Sequence, residues 1–452
     1  MSNRSEKISK SFLRLPMRAF LVGGVFFVLS CTSFLAFSQT SSEKKSAQPK
    51  TIQSENVSIN DSTKADIVYK RSAAFRRRQP RLLQSIPFQK TPEGLPDLRA
   101  ATCGACHQEI YKEWQISTHA LALHGDPQFI AEVEKNNRGE KKAGWVCMNC
   151  HTPLENQQPE LVVGLRDERL GRPVMQRNPN YDAALREEAI TCATCHVRDG
   201  VIHGPFGDTN APHPTAKDPN LAKSTLCTQC HQAMGSFPKE DLLCAFSTGE
   251  EHEKSPQAKE DMTCQSCHMP VVERPLMAGF PARKTRRHFF MGSLLPKTYA
   301  DVNAIDKVRP FFQQGLQVTL PQKIRNENAT QKVVVKYKNE FAGHLLPTGD
   351  PERFLIIDAK VTSLKGLLLT SQKVRIGTVY EWYPTAKKLS DNRLRPKEER
   401  ILELSFAPQR EPISIHVVVT KGRITQENLA YHHLEKKVVG EQVIYSEKRV
   451  LP

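Results

Sequence analysis

The chain has 452 residues, 39% of them hydrophobic and only 7% aromatic, and its 64 Lys and Arg outnumber 48 Asp and Glu for a formal charge of +16. That length accommodates two or three domains, but the aromatic content is thin for one large side-chain core. Ten of the twelve cysteines fall in one repeated short pattern and only Cys31 and Cys244 stand outside it, which excludes a disulfide framework.

At the N-terminus Lys7, Lys10, Arg14 and Arg18 precede an apolar run from Ala19 to Phe37. This is the basic region and hydrophobic region of an export signal, and Ala36-Phe37-Ser38 puts small residues at the cleavage positions before Gln39. Two other readings stand beside it. Val28-Leu29-Ser30-Cys31 resembles a lipobox that would make Cys31 a lipidated first residue, although the apolar Phe34-Leu35-Ala36-Phe37 behind it argues against that. The run is also long enough to remain as one membrane anchor. Residues 1–38 are therefore a signal peptide or a membrane anchor, and each reading places the body in the periplasm or otherwise outside the cytoplasm. Residues 39–98, rich in Ser, Lys, Gln and Asn, read as a low-complexity linker. Its basic cluster, Lys70, Arg71, Arg76, Arg77, Arg78 and Arg81, is either a solvated leader or a contact for an acidic redox partner or anionic lipid.

Five Cys-x-x-Cys-His pentads follow: Cys103–Cys106–His107, Cys147–Cys150–His151, Cys192–Cys195–His196, Cys227–Cys230–His231 and Cys264–Cys267–His268. Two thiols three positions apart fall on one side of a helical turn, where each can form a thioether to a haem vinyl group. The next residue swings its imidazole under the iron as proximal ligand. Chance would supply about 0.01 such pentads in a chain of this composition. A zinc site would pair two Cys-x-x-Cys units without needing the His. The sequence thus predicts five covalently attached haems c, held by those ten cysteines and five histidines, in a pentahaem domain over 99–308. Haem propionates offset the basic sequence charge, so nucleic-acid binding is not expected.

Short helices and Pro- and Gly-rich loops are expected between the pentads. Gln108–Leu123 carries apolar residues at helical spacing, and Asp126-Pro127 starts a second helix running to about Glu134. The sixth ligand of each iron decides whether it conducts or reacts. The histidines outside the pentads exceed the five distal positions, which favours bis-His ligation. His119, His124, His203, His213, His288 and His344 are the expected distal metal ligands, whereas His252 lies in the charged run Glu250–Lys254. Met148, Met234, Met262 and Met269 read as gap-fillers around a cofactor.

Cys103-Gly-Ala-Cys-His107 followed by Tyr111, Trp114, Ser117, His119 and Ala120 resembles a motif of the multihaem cytochromes related to the tetrahaem electron acceptor of hydroxylamine oxidoreductase. Cys264-Gln-Ser-Cys-His268-Met269-Pro270 and His288-Phe-Phe-Met-Gly292 are similar to further pieces of that group. The resemblance, over about 102–292, implies a mostly helical, loop-rich domain of closely stacked bis-His haems, with His119 ligating a haem other than the one on His107. No Cys-x-x-Cys-Lys pentad is present, which sets the chain apart from pentahaem nitrite reductases.

Beyond Gln313 cysteines cease and seven strand-like runs appear: 316–320, 332–337, 354–361, 374–379, 401–406, 413–420 and 442–450. They predict an all-β, immunoglobulin-like sandwich over 313–452. The whole chain then reads as a mainly α, loop-rich multihaem domain followed by that sandwich. Within it Asn339–Gly349 resembles a Gly-His-x-x-Pro-Thr-Gly loop of domains attached to such cytochromes. Its His344 either reaches a haem iron or is hydrogen-bonded in a structural turn. The function expected is that of an exported electron carrier serving redox protein partners, with membrane association through the N-terminus under the anchor and lipobox readings. The alternatives are an oxidoreductase with one open-site haem acting on a small nitrogen or sulfur compound, or a structural subunit of an electron conduit or haem filament.

Overall fold

The computed structural model describes residues 61–207, 210–382 and 385–452. The export segment and the first part of the expected linker lie outside these residues. Everything below belongs to one compact unit, Ile59–Pro452.

The linker expectation fails over 61–98. Helix α1, Asp61–Arg76, packs along a β-hairpin of the next region. Phe75 is buried and meets Trp145 edge-on, while Ser72 donates to Glu155 at 2.6 Å and Arg76 pairs with the same carboxylate at 3.3 Å. Beyond it Leu82, Leu83 and Ile86 are buried, and Gln89 and Asn156 exchange two backbone–side-chain hydrogen bonds. The segment has few large apolar residues, but nearly all of them sit where they can be covered. Its basic cluster is partly structural, since Arg76 is buried and Arg81 donates to Gln229.

Next come α2 (Ala100–Gly104), α3 (Gln108–Gln115), α4 (Pro127–Lys135) and α5 (Trp145–His151), then the hairpin β1 (Glu160–Leu165) and β2 (Pro173–Arg177). After α6 (Ala183–Glu187) and α7 (Cys192–His196) lie β3 (Val197–Arg198), β4 (Val201–Gly204) and β5 (Thr215–Lys217), with β4 and β5 parallel. Helix α8 (Thr225–His231) leads into the hairpin β6 (Ala233–Phe237) and β7 (Leu242–Phe246). Helices α9 (Thr248–Glu253), α10 (Pro256–Lys259) and α11 (Cys264–His268) precede the hairpin β8 (Val271–Arg274) and β9 (Arg283–Arg286), and α12 (Val302–Val308) closes the region. The mainly α expectation is corrected here: small β pairs recur between helices of nine residues or fewer. Each pentad needs one helical turn and no more, so in four of the five the helix ends at the proximal His, and in the first it ends at Gly104 before a new helix starts after His107. The expected helix over 108–123 likewise stops at Gln115, and α4 starts where Asp126 caps the amide of Phe129.

The remainder is two antiparallel sheets. One holds β10 (Leu316–Thr319), β11 (Arg325–Glu327), β12 (Thr330–Asn339) and β16 (Glu399–Phe406); the other runs β15 (Lys387–Asp391), β14 (Leu368–Glu381), β13 (Phe354–Ser363), β17 (Ile413–Gly422), β18 (Glu441–Leu451). Alternation fixes which face is buried. In β16 Leu402, Leu404 and Phe406 enter the core between exposed neighbours, and central β13 and β17 bring Leu355, Ile357, Val361, Ile415, Val417 and Val419 against them. All seven predicted strands are present; β11 and β15, short and largely exposed, gave no apolar signal.

The sandwich is sewn to the first region by polar contacts. Lys421 at the end of β17 donates to Ser293 O at 2.6 Å, and Arg423 donates to Leu295 O at 3.2 Å. Arg423 also lies 4.0 Å from Asp126, a carboxylate that Lys297 of the first region holds at 2.7 Å, and His432, just after α13 (Gln426–Tyr431), reaches Glu132 at 3.1 Å. Among the described residues no helix is long and apolar enough to cross a membrane.

Candidate haem centres

The local chain explains the second shell of each pentad. In four of the five pentads the helix ends at the proximal His, in the first His107 sits between α2 and α3, and four of the five rings put Nδ1 against a carbonyl. Leu276 O lies 3.1 Å from His107 Nδ1, Ala122 O 2.6 Å from His151, His203 O 2.7 Å from His196 and Met291 O 3.3 Å from His268. Such a bond fixes ring orientation and leaves Nε2 free for a metal. His288 and His344 show the same pattern, to Arg286 O at 2.9 Å and Leu345 O at 2.8 Å.

Three imidazoles from elsewhere face three of the pentads. His119 stands over His231 with ring centroids 6.4 Å apart and planes 28° from parallel. His288 stands over His196 at 6.3 Å and 32°, and His344 over His268 at 6.4 Å and 17°. An imidazole–metal bond of about 2.0 Å on each side, plus about 1.1 Å from each ring centre to its nitrogen, requires about 6.2 Å. The pairs therefore have the separation that an iron between two imidazoles needs. Direct contact would be closer, as where Phe129 stacks on His151 at 3.6 Å. Burial, reinforced by the facing imidazole, holds His119 down to about 3 and His288 to about 4. Burial also holds His344 to about 4, so all three rings are in the neutral, ligating form at neutral pH.

The remaining candidate histidines stand as follows. His124 has a largely exposed side chain and pairs with Glu187 at 3.0 Å. His203 lies 3.8 Å from Asp218, and the buried Nδ1 atoms of His203 and His213 have no hydrogen-bond partner among the described residues. His252 spends both nitrogens on Gly343 O and Met262 O. Among the described residues no second imidazole stands at ligating distance across from His107 or His151. Nor does any group of three or more His, Cys, Asp or Glu form a site for a bare metal ion.

Glu113 was missed in the sequence. It lies buried on α3 between Tyr111 and Trp114, accepts two bonds from Arg274 at 2.7 and 3.0 Å and one from Arg287 at 2.7 Å, and takes the backbone amide of His288 at 2.8 Å. It thereby ties α3 to the β8–β9 hairpin and places His288. The one available signal was an acidic residue inside the helix of the first motif. The His344 loop is held in the same manner. Thr348 donates to Glu251 at 2.6 Å, Arg393 donates to Glu251 at 2.8 Å, and Asn339 donates to His344 O at 2.9 Å.

The pentads also touch one another. The thiols of Cys103 and Cys192, of Cys150 and Cys230, and of Cys227 and Cys264 lie close enough to influence one another's ionisation. Cys106 and Cys267 are exposed, whereas the other pentad cysteines are partly buried.

Residues 102–197 match the family model described as cytochrome c554 and c-prime. Among solved structures, a penta-heme cytochrome c552 from Thermochromatium tepidum superposes with a TM-score of 0.56 at 17% identity, over 80% of this chain and 100% of that one. A calcium-binding mutant of beta-glucuronidase 2 from Bacteroides uniformis also matches, at 14% identity over 30% of this chain and 13% of that one, with a TM-score of 0.15. No curated protein matches. The family match falls on the first three pentads, and the fold follows that of a five-haem cytochrome.

Proposed function

We propose that this protein is an exported electron carrier with five covalent haems c, passing electrons one at a time between redox protein partners. The observation that carries the reading is the set of three imidazole pairs 6.3–6.4 Å apart, each built from one pentad His and one distant His. Bound haem iron would supply the one-electron change. The chain's own part would be to hold that iron with the two imidazoles of each pair at these three sites, which would leave a substrate no position at the metal. No proton donor, acceptor or nucleophile is needed for that task.

The thiol contacts support an order for the sites. The first pentad adjoins the third, and the fourth adjoins both the second and the fifth. The exposed Cys106 and Cys267 put the first and fifth sites nearest solvent, where partners could dock. We read the relation to the tetrahaem acceptor of hydroxylamine oxidoreductase, and the immunoglobulin-type order of the sandwich, in the same way. His344 makes the sandwich a contributor to the fifth site rather than an appendage.

One observation favours a second reading. Among the described residues the imidazole pairs involve His196, His231 and His268 but not His107 or His151, so an open site acting on a small nitrogen or sulfur compound is the rival. Steady-state assays of the haem-loaded protein with a reduced viologen and nitrite, hydroxylamine or sulfite decide between them. The carrier reading expects rapid oxidation and reduction by small redox agents without turnover. Sustained turnover of any of the three substrates would overturn it.

A further inference from the structure

The stretch Arg286–Met291 touches the imidazoles of three sites. Arg286 O takes His288 Nδ1, the His288 ring faces His196, and Met291 O takes His268 Nδ1. Between them Phe290 adopts a left-handed backbone with φ 45°, a strained conformation for a bulky residue. Its carbonyl accepts from Thr118 Oγ1 at 2.8 Å, one residue before His119. Its ring stacks on His119 at 4.5 Å and 29°, and meets the His288 ring edge-on at 5.4 Å and 88°.

An imidazole bound to a metal through Nε2 can still turn about that bond unless something holds its plane. A hydrogen bond from Nδ1 usually does so. His288 has one. His119, among the described residues, has no hydrogen bond from its ring, and stacking on Phe290 takes that place. We infer that Phe290 is a positioning residue shared by two iron sites, setting the ring plane of His119 by stacking and bracing that of His288 by its edge. The inference rests on the reading that these imidazoles are axial ligands. The strained backbone follows from the task, because it lets one residue offer its carbonyl to Thr118 and its ring to two ligands that come from separate parts of the chain.

The relative orientation of two axial imidazoles sets the anisotropy of a low-spin ferric signal, so electron paramagnetic resonance of the oxidised, haem-loaded protein reads the ring planes directly. His119→Ala and His288→Ala each remove one signal and so assign them. Phe290→Leu is expected to shift the largest g value of the His119/His231 signal, to shift that of His196/His288 by less, and to leave His268/His344 unmoved. Phe290→Tyr, which keeps the ring, is expected to leave all three in place. Phe289→Leu is expected to do the same, because its ring packs on Phe311 and Phe312 instead. Should Phe290→Leu fail to load haem, Phe290→Met replaces it with the same expected shifts. Three unchanged signals in the Phe290 variant, or equal shifts at all three sites, would overturn the inference. Absence of low-spin bis-imidazole signals from the unaltered protein would instead remove the ligand pairs themselves.

Discussion

Replacing Glu113 by Ala would leave Arg274 and Arg287 without their shared carboxylate, and Arg274 is buried. Breaking such a buried pair costs about 3–5 kcal/mol, so chemical denaturation should show a loss of that order. The same variant should turn part of the His196/His288 iron high spin, since the His288 amide loses its acceptor. An unchanged spectrum would separate Glu113 from ligand placement. His288→Ala is the sharper change: all five haems should stay attached by their thioethers while one iron turns high spin. The pentads were legible because their chemistry is local, a spacing of three plus one. The facing ligands were harder. His119 and His288 could be nominated from short motifs, but which pentad each one faces depends on tertiary packing across most of the domain. His124 looked equivalent in the sequence, yet a carboxylate four residues beyond Ala183 draws it to the surface instead.

At the scale of elements, the loop from β12 to β13 brings His344 to the fifth site, anchored by Glu251 of α9. Glu251→Ala should cost about 1–3 kcal/mol, with part of the His268/His344 iron becoming high spin in optical spectra. Arg393 keeps Asp391 as a partner, which limits the loss. A second element-level prediction concerns the seam between the sandwich and α4. Burial, then Asp350 and Glu132 nearby, push Glu352 up to about 8; Asn428 of α13 donates to it and Lys135 of α4 opposes the rise. The folded state therefore keeps a proton that the unfolded chain releases near pH 4.5. This contribution is complete below that value and is lost as pH rises toward 8. Between pH 5 and pH 8 it should amount to roughly 2–4 kcal/mol, and Glu352→Gln should flatten stability over that window relative to the unaltered protein. An identical pH profile in both would show that Glu352 is not held protonated. None of this was readable beforehand, because a seam joins faces that the sequence presents as two separate domains. The strands were readable, since alternation is local; α1 was not, because a polar composition concealed the two apolar residues it buries, Ala65 and Phe75.

For the whole molecule, the sandwich and the haem region form one unit joined by ion pairs and a shared ligand loop. Removing residues 313–452 would take away His344 and expose Asp126 and Lys297, which the β17 end now covers. Such a truncated chain should retain the thioether attachments yet lose the low-spin signal of the fifth site. The central claim, however, is that three irons sit between imidazole pairs whose planes lie 17–32° from parallel. It is tested most directly by low-temperature electron paramagnetic resonance of the oxidised, fully haem-loaded protein, with spins counted against total iron. At least three of every five irons should be low spin, with the rhombic signals of near-parallel imidazoles. Fewer than three low-spin irons, or low-spin signals only of the strongly anisotropic kind that crossed imidazoles give, would contradict it.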